Sequence, residues 1–434
     1  MVLPIAGVRD AARPGLGVED NVTHLRRYLY AEQRLCLLLA GHLPSVPEMA
    51  IKQGIGRHLW EDAEHASWLI ERIGQLRTSR KSLDEEPDGA LATLFDELLW
   101  SATTAELIVG VYAVVKPALV TAYRWHIAVT NPLVDFPSAR LLRFALAEEE
   151  AQLEWSASVL PELPPSAELT AWRCHLERLL AASGSMTGRV QREPLDSEPL
   201  RSAGGPPRLS MYPAREPGRP TQFDPPLLDD EADPIRRGLL RKMVVRYNEM
   251  KAVENIASTI YETPAMPWPY YHDLARHLWD EVRHSSFGEV MLQELGHPVT
   301  EYPFAIGNSV FYSMVPPLER YALLGISIEG GAMKYPPGKR QEYEWCRDTA
   351  RDALATVFQD YDWADEVLHT QIARKWISNQ LGGDMNKARA IAADTKERLQ
   401  MFKVAEEAKD RAIATPQKQT EPVAVPTLGR HFEE

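Results

Sequence analysis

The sequence predicts an all-α protein built as two tandem four-helix bundles joined by a long Pro-rich linker. Three observations predict it. The middle of the chain breaks in composition: about Met186 to Asp230 holds Pro194, Pro199, Pro206, Pro207, Pro213, Pro217, Pro220, Pro225 and Pro226, with Gly204-Gly205 among them. No helical period survives such a stretch. The regions on either side, roughly 18–185 and 231–412, repeat one another. Two Asp-Glu-x-x-His blocks, Asp280–His284 and Asp365–His369, lie inside helical stretches of the second region.

The repeat rests on co-linear matches. A shift of 219 residues sets Arg57-His58-Leu59-Trp60 on Arg276-His277-Leu278-Trp279, Arg27-Tyr28 on Arg246-Tyr247, and His65 on His284. A shift of 217 sets Ala147-Glu148-Glu149 on Ala364-Asp365-Glu366. In the second copy the helix-length segments are about 232–262, 268–296, 310–334 and 340–380. Thr263-Pro264 and Pro336-Pro337-Gly338 mark short turns within the first and last pairs. The linker, 186–230, either wraps a surface or stays mobile. The tail, 413–434, is Pro- and charge-rich and is expected to be disordered.

With 434 residues and 44% hydrophobic content, the chain can fill two cores. Its net charge of -13 makes nucleic acid an unlikely partner. The start, Met1-Val2-Leu3-Pro4, lacks a basic region and an apolar run, so no signal peptide is expected, and no run of about 18 uncharged apolar residues appears, so no membrane span is expected. Cys36, Cys174 and Cys346 have no paired spacing, which fits a cytoplasmic setting and offers no zinc or iron–sulfur motif.

The chemistry concentrates in the second copy. A Glu and a His three apart, about 300° around a helix, share a face. Two such pairs, Glu281/His284 and Glu366/His369, need a carboxylate from each of two further helices to make a dinuclear metal box. Glu249 and Glu254 are the choices on the first helix. They stand about 140° apart and cannot both face one centre. Glu249 is preferred because it and Glu281 flank the turn near residue 265 almost equally, and Glu254 stays open. On the third helix Glu329 is preferred to Glu319: it lies nearer Glu366 in sequence and sits among apolar neighbours, where a carboxylate needs a partner or a metal. The set is Glu249, Glu281, His284, Glu329, Glu366 and His369. Its four carboxylates balance two divalent ions. Asp280 and Asp365 are placed to bond the outer nitrogen of the opposite helix's His. Asp362, one turn before Glu366, is either an extra ligand or, more readily, a solvated or supporting acid.

The first copy departs from this pattern. Tyr30 stands for Glu249, Leu35 for Glu254, Asp62 for Glu281 and Gln152 for His369, while His65 and Glu149 remain. Lys116 stands for Glu329 when Glu106 is set against Glu319. A Lys there repels a metal and can pair with Glu149, so this copy is expected to be metal-free. His58 and His277, present in both copies, are read as packing residues.

The run Tyr247–Glu254 and the two Asp-Glu-x-x-His blocks resemble the ferritin-like superfamily of non-haem di-iron carboxylate proteins. Over roughly 235–380 the chain looks closest to bacterial ferritin-like oxygenases related to the tRNA-modifying hydroxylase. The resemblance implies two Fe ions, with Mn or mixed Fe/Mn admitted, that activate O2 to oxidise a small-molecule substrate. It implies an external electron donor, a reductase or chemical reductant, because the chain has no dinucleotide loop or cysteine cluster. Tyr247, Trp279, Phe287 and Trp363 are expected to shape the pocket. A ferroxidase role, a non-catalytic scaffold and a homodimer remain alternatives open to the same motif.

Overall fold

In the computed structural model, which describes residues 5–79, 83, 85–195, 199–224, 231–299 and 302–414, the chain is mostly helical. The first half holds α1 (Val18–His42), α2 (Met49–Gly74), α3 (Gly89–Leu99), α4 (Thr104–Val129), α5 (Phe136–Val159) and α6 (Ala167–Ala182). The second holds α7 (Pro234–Tyr247), α8 (Met250–Glu262), α9 (Trp268–Glu294), α10 (Gly307–Tyr312), α11 (317–332), α12 (Lys339–Trp345), α13 (Ala353–Gln380) and α14 (Met385–Ala414). Two-residue strands, Thr221–Gln222 and Phe304–Ala305, pair in parallel.

Local chemistry sets these limits. Asp88, Thr103, Ser166, Asp233 and Asp352 each accept a hydrogen bond from the first turn of the helix they precede. Pro234 and Pro317 open α7 and α11, where a missing N–H costs nothing. The fourth segment, expected unbroken over 340–380, divides at Arg351, whose φ of +53° no helix tolerates. The first segment divides too, at Asn248–Glu249. The Asn248 side chain donates to Val244 O (2.8 Å) and accepts from Ala305 N (2.7 Å), which holds the chain out of helical register. Helix α14 was not expected as a separate element; it packs along α11.

In the first half α1 packs on α2, α2 on α5 and α5 on α4. In the second, α7 and α8 pack on α9, α9 on α13, and α13 on α11. The halves meet where α2 lies on α9 and α1 on α8, and one buried apolar cluster runs through both. The linker follows the surface. Ala214 N donates to Pro44 O (2.9 Å), Arg215 pairs with Glu254, and Thr221–Gln222 adds to the second half. Pro225, Pro226 and the tail from 415 onward lie outside the described residues. Helix α4 is long and apolar enough to cross a membrane, although Lys116 interrupts its apolar run; 72% of its apolar window is buried.

Helices α7 and α9 touch backbone to backbone at Gly288, where an added Cβ would sit 2.1 Å from Tyr247 N and 2.5 Å from Met243 O. No side chain can move aside to relieve that. Gly288→Ala is therefore expected to cost about 1–3 kcal/mol, read as a lowered urea midpoint at unchanged slope. A midpoint equal to the parent's would show that the helices do not approach this closely.

Candidate metal centre

Four segments deliver the predicted residues to one buried place. On α9, His277, Glu281 and His284 recur at four and three residues, so they share one stripe. On α13, Asp362, Glu366 and His369 do the same. Glu329 ends a seven-residue π-helical stretch, Leu323–Glu329, inside α11. Such a stretch shifts the helical face by an extra residue. Gly325 lets α11 close on α13, since a Cβ there would lie 2.2 Å from Ala373 Cβ. Glu249 stands in the break between α7 and α8, which frees it to turn inward.

The donor atoms fall into overlapping groups within 4.8 Å: His277, Glu281, Glu329 and His369; Glu281, His284 and Glu366; Glu249, His284 and Asp362. Glu281 belongs to the first two. Its Oε1 is 3.3 Å from His369 Nδ1, 3.7 Å from His277 Nε2 and 3.8 Å from His284 Nδ1. The outer nitrogens are tied across the helix pair. His284 Nε2 donates to Asp365 Oδ2 (3.2 Å), and His369 Nε2 donates to Asp280 Oδ2 (3.3 Å). This is the crossed arrangement expected from the two Asp residues. Arg276 and Arg283 hold Asp280, and Arg283 also reaches Asp365 (2.8 Å).

With the outer nitrogens fixed, His284 Nδ1 and His369 Nδ1 face inward without a hydrogen-bond partner. So do Glu249 Oε2, Glu329 Oε2 and Glu366 Oε2. Buried polar atoms are seldom left orphaned. Five on six candidate ligands, gathered in one place, fit a site made for cations.

The electrostatics agree. Burial pushes the Glu249 carboxyl up to about 7, against the pull of Arg246 and Lys339. Burial also raises Glu366, again against Lys339. Glu281 is pushed up by burial, but the imidazoles of His277, His284 and His369 hold it well below its ordinary value. Burial lowers His284, yet the bond to Asp365 and the nearby Glu281 and Asp362 carry it up to about 10. The imidazoles thus take protons to offset the carboxylates.

Two neighbouring cations were not foreseen. Lys339 Nζ lies 2.8 Å from Asp362 and 2.8 Å from Glu366, and 3.9 Å from Glu249. Arg246 pairs with Glu249, Asp362 and Glu342. The sequence signal for Arg246 was present, since it aligns with Arg27, but nothing marked its charge as buried. His277, read as packing, instead points Nε2 into the centre, 3.0 Å from Glu329 Oε1, and stacks on His369. Its place one turn before Glu281 was the signal. Asp362 is fully buried, not solvated.

Glu254 does not join the centre: it faces away, paired with Lys52 and Arg215. Glu319 pairs with Arg398. Of the aromatics, Phe287 lies against His284 and stacks on Phe358. Trp279 instead stacks on Trp60 between the halves, Tyr247 packs on Phe304, and Trp363 on Tyr343.

The corresponding place in the first half is built differently. Lys116 Nζ lies 2.8 Å from both Asp62 and Glu149, the pairing expected for Glu149. His65 bonds Glu32 (3.2 Å) and Glu148 (2.7 Å), and Gln152 donates to Glu61 (3.0 Å). Glu32, overlooked in the sequence, is fully buried and also accepts from Tyr123. Glu32, Asp62, His65 and Glu149 have a metal-capable spacing, but an ammonium already lies among them.

Compared with known proteins, the chain matches no family model, no curated protein and no solved structure.

Lys116, Asp62 and Glu149 are wholly buried, so removing the cation strands two carboxylates. Lys116→Met is expected to cost about 3–5 kcal/mol. The triple change Lys116→Met, Asp62→Asn, Glu149→Gln should recover most of that in urea unfolding. A single variant as stable as the parent would remove the electrostatic account.

Proposed function

We propose that the chain is a dinuclear non-haem metal oxidoreductase whose ions are held by Glu249, Glu281, His284, Glu329, Glu366 and His369. The observation that carries this is the convergence of partnerless buried donor atoms from five of these six residues. His277 and Asp362 stand within reach as further donors. When bound, a pair of ferrous ions, or of manganese or mixed ions, would supply electrons to dioxygen for oxidation of a small organic substrate, with re-reduction by an external donor. The residues do the rest. Asp280 and Asp365 hold two imidazoles with Nδ1 inward. Glu281 is shared by two of the donor groups, within reach of both Nδ1 atoms. Phe287 and Phe358 lend an apolar wall beside His284.

We further propose that the two halves are duplicated ferritin-like bundles, of which the first has lost its centre. Helices α4 and α11 each carry a seven-residue π stretch, Val109–Val115 and Leu323–Glu329. His58 bonds Tyr112 as His277 bonds Tyr321. In the first half α1, α2, α4 and α5 send charged groups to one buried cluster, and in the second α9, α11 and α13 do.

Elemental analysis of protein purified in air is expected to give about two ions per chain. Glu281→Ala and Glu366→Ala are expected to empty the site; full occupancy in either would refute the ligand assignment. Ferrous protein should consume oxygen in a single turnover without building mineral, whereas mineral growth would favour iron storage. Loading should also release protons, because His284 and His369, raised above their ordinary value by their carboxylate neighbours, must shed them to bind. Calorimetry in two buffers of different ionisation enthalpy counts those protons, and a count of zero would contradict this charge state.

A further inference from the structure

The two ends of the centre are unlike in charge. At one end His277, Glu281, Glu329 and His369 offer two imidazoles and two carboxylates within one ion's reach. No Lys or Arg among the described residues hydrogen-bonds to Glu281 or Glu329; their close neighbours are imidazoles. At the other end, the acids Glu249, Asp362 and Glu366 are already engaged. Lys339 contacts Asp362 and Glu366, and Arg246 contacts Glu249 and Asp362. Only at this end does an ammonium pair with the ligand carboxylates: Lys339 Nζ lies on Glu366 Oε1 and Asp362, beside the partnerless Glu366 Oε2 and Glu249 Oε2.

Lys339 arrives by a distinct route. It opens α12, just after the Pro336-Pro337-Gly338 turn. That turn is pressed against the end of α11, where a Cβ on Gly338 would lie 2.0 Å from Lys334 O and 2.4 Å from Ala332 O. The side chain is a flexible four-carbon stem that can withdraw, unlike the rigid Arg246 fork. It comes from a segment that supplies none of the six proposed ligands.

On the reading that this is a dinuclear centre, we infer that Lys339 is a resident cation at the Glu249/His284/Glu366 end, so the two ions bind unequally. The first ion enters at the His277/Glu281/Glu329/His369 end. The second binds only when the Lys339 ammonium leaves Glu366 and Asp362. The ammonium acts here as a competing ligand-side charge, and its removal should tighten one position and leave the other unchanged.

The test uses the full chain, stripped with chelator and titrated with Mn2+, free ion being read by electron paramagnetic resonance. The parent should bind one ion at least about tenfold more tightly than the second. Lys339→Gln and Lys339→Met should close that gap by tightening the second ion alone, whereas Lys339→Arg should keep it. Equal affinities in the parent would overturn the inference and need no variant. So would an unchanged gap in either neutral variant with the parent's melting temperature. A parent that binds no Mn2+ and no Fe2+ would instead bring down the dinuclear reading itself.

Discussion

The structure turns on one constraint: carboxylates from four segments converge at a single, largely buried point between helices. A lone buried carboxylate costs several kcal/mol. Here Glu281, Glu329 and Glu366 are each nearly inaccessible, and Glu249 and Asp362 lie beside them. Such a group folds only if positive charge is guaranteed. The surrounding residues are best understood as ways of supplying it.

The two halves supply it differently. The first half places a covalently attached charge, Lys116, between Asp62 and Glu149, and His65, which burial lowers but Glu32, Glu148 and Glu149 hold well above its ordinary value, adds a proton-borne one. An ammonium thus stands permanently among its buried carboxylates. The second half has Lys339 and Arg246 at one end only, and otherwise relies on protons held by His284 and His369. Protons are exchangeable for a metal; the Lys116 ammonium is not. The contrast is what makes one cluster a candidate centre and the other a structural core.

Much of this was legible in the sequence because it depends on helical spacing. Glu281/His284 and Glu366/His369 recur at three residues, and the Asp beside each Glu falls one position around the helix, toward the facing helix. The crossed Asp–His bonds follow from that alone. The choice of Glu249 over Glu254 could be argued from symmetry about the turn. What could not be read was anything set by helix irregularity or by chain crossing. The break at Asn248 depends on a bond to Ala305 N, 57 positions away. The π stretch that aims Glu329 has no period of its own to detect. Lys339 follows a turn, and nothing in a Pro-Pro-Gly-Lys run says that the amine bends back into a buried acid cluster. His277 was misread for a different reason: its presence in both halves suggested packing, although its one-turn spacing from Glu281 allowed the other role.

The crossed Asp–His bonds also explain why both helices of the pair must be held so closely. Each imidazole has two nitrogens, and only a fixed acceptor on the far helix commits one of them outward. Asp280 serves the His of α13, and Asp365 serves the His of α9. A shift of α9 along α13 by even one residue would break both bonds together and turn both Nδ1 atoms away. Gly288 locks α9 to α7, Gly325 locks α11 to α13, and Arg283 ties Asp280 to Asp365 directly. The first half has no second imidazole to orient, because Gln152 stands where His369 does. There His65 bonds carboxylates through both ring nitrogens, Glu32 through Nδ1 and Glu148 through Nε2.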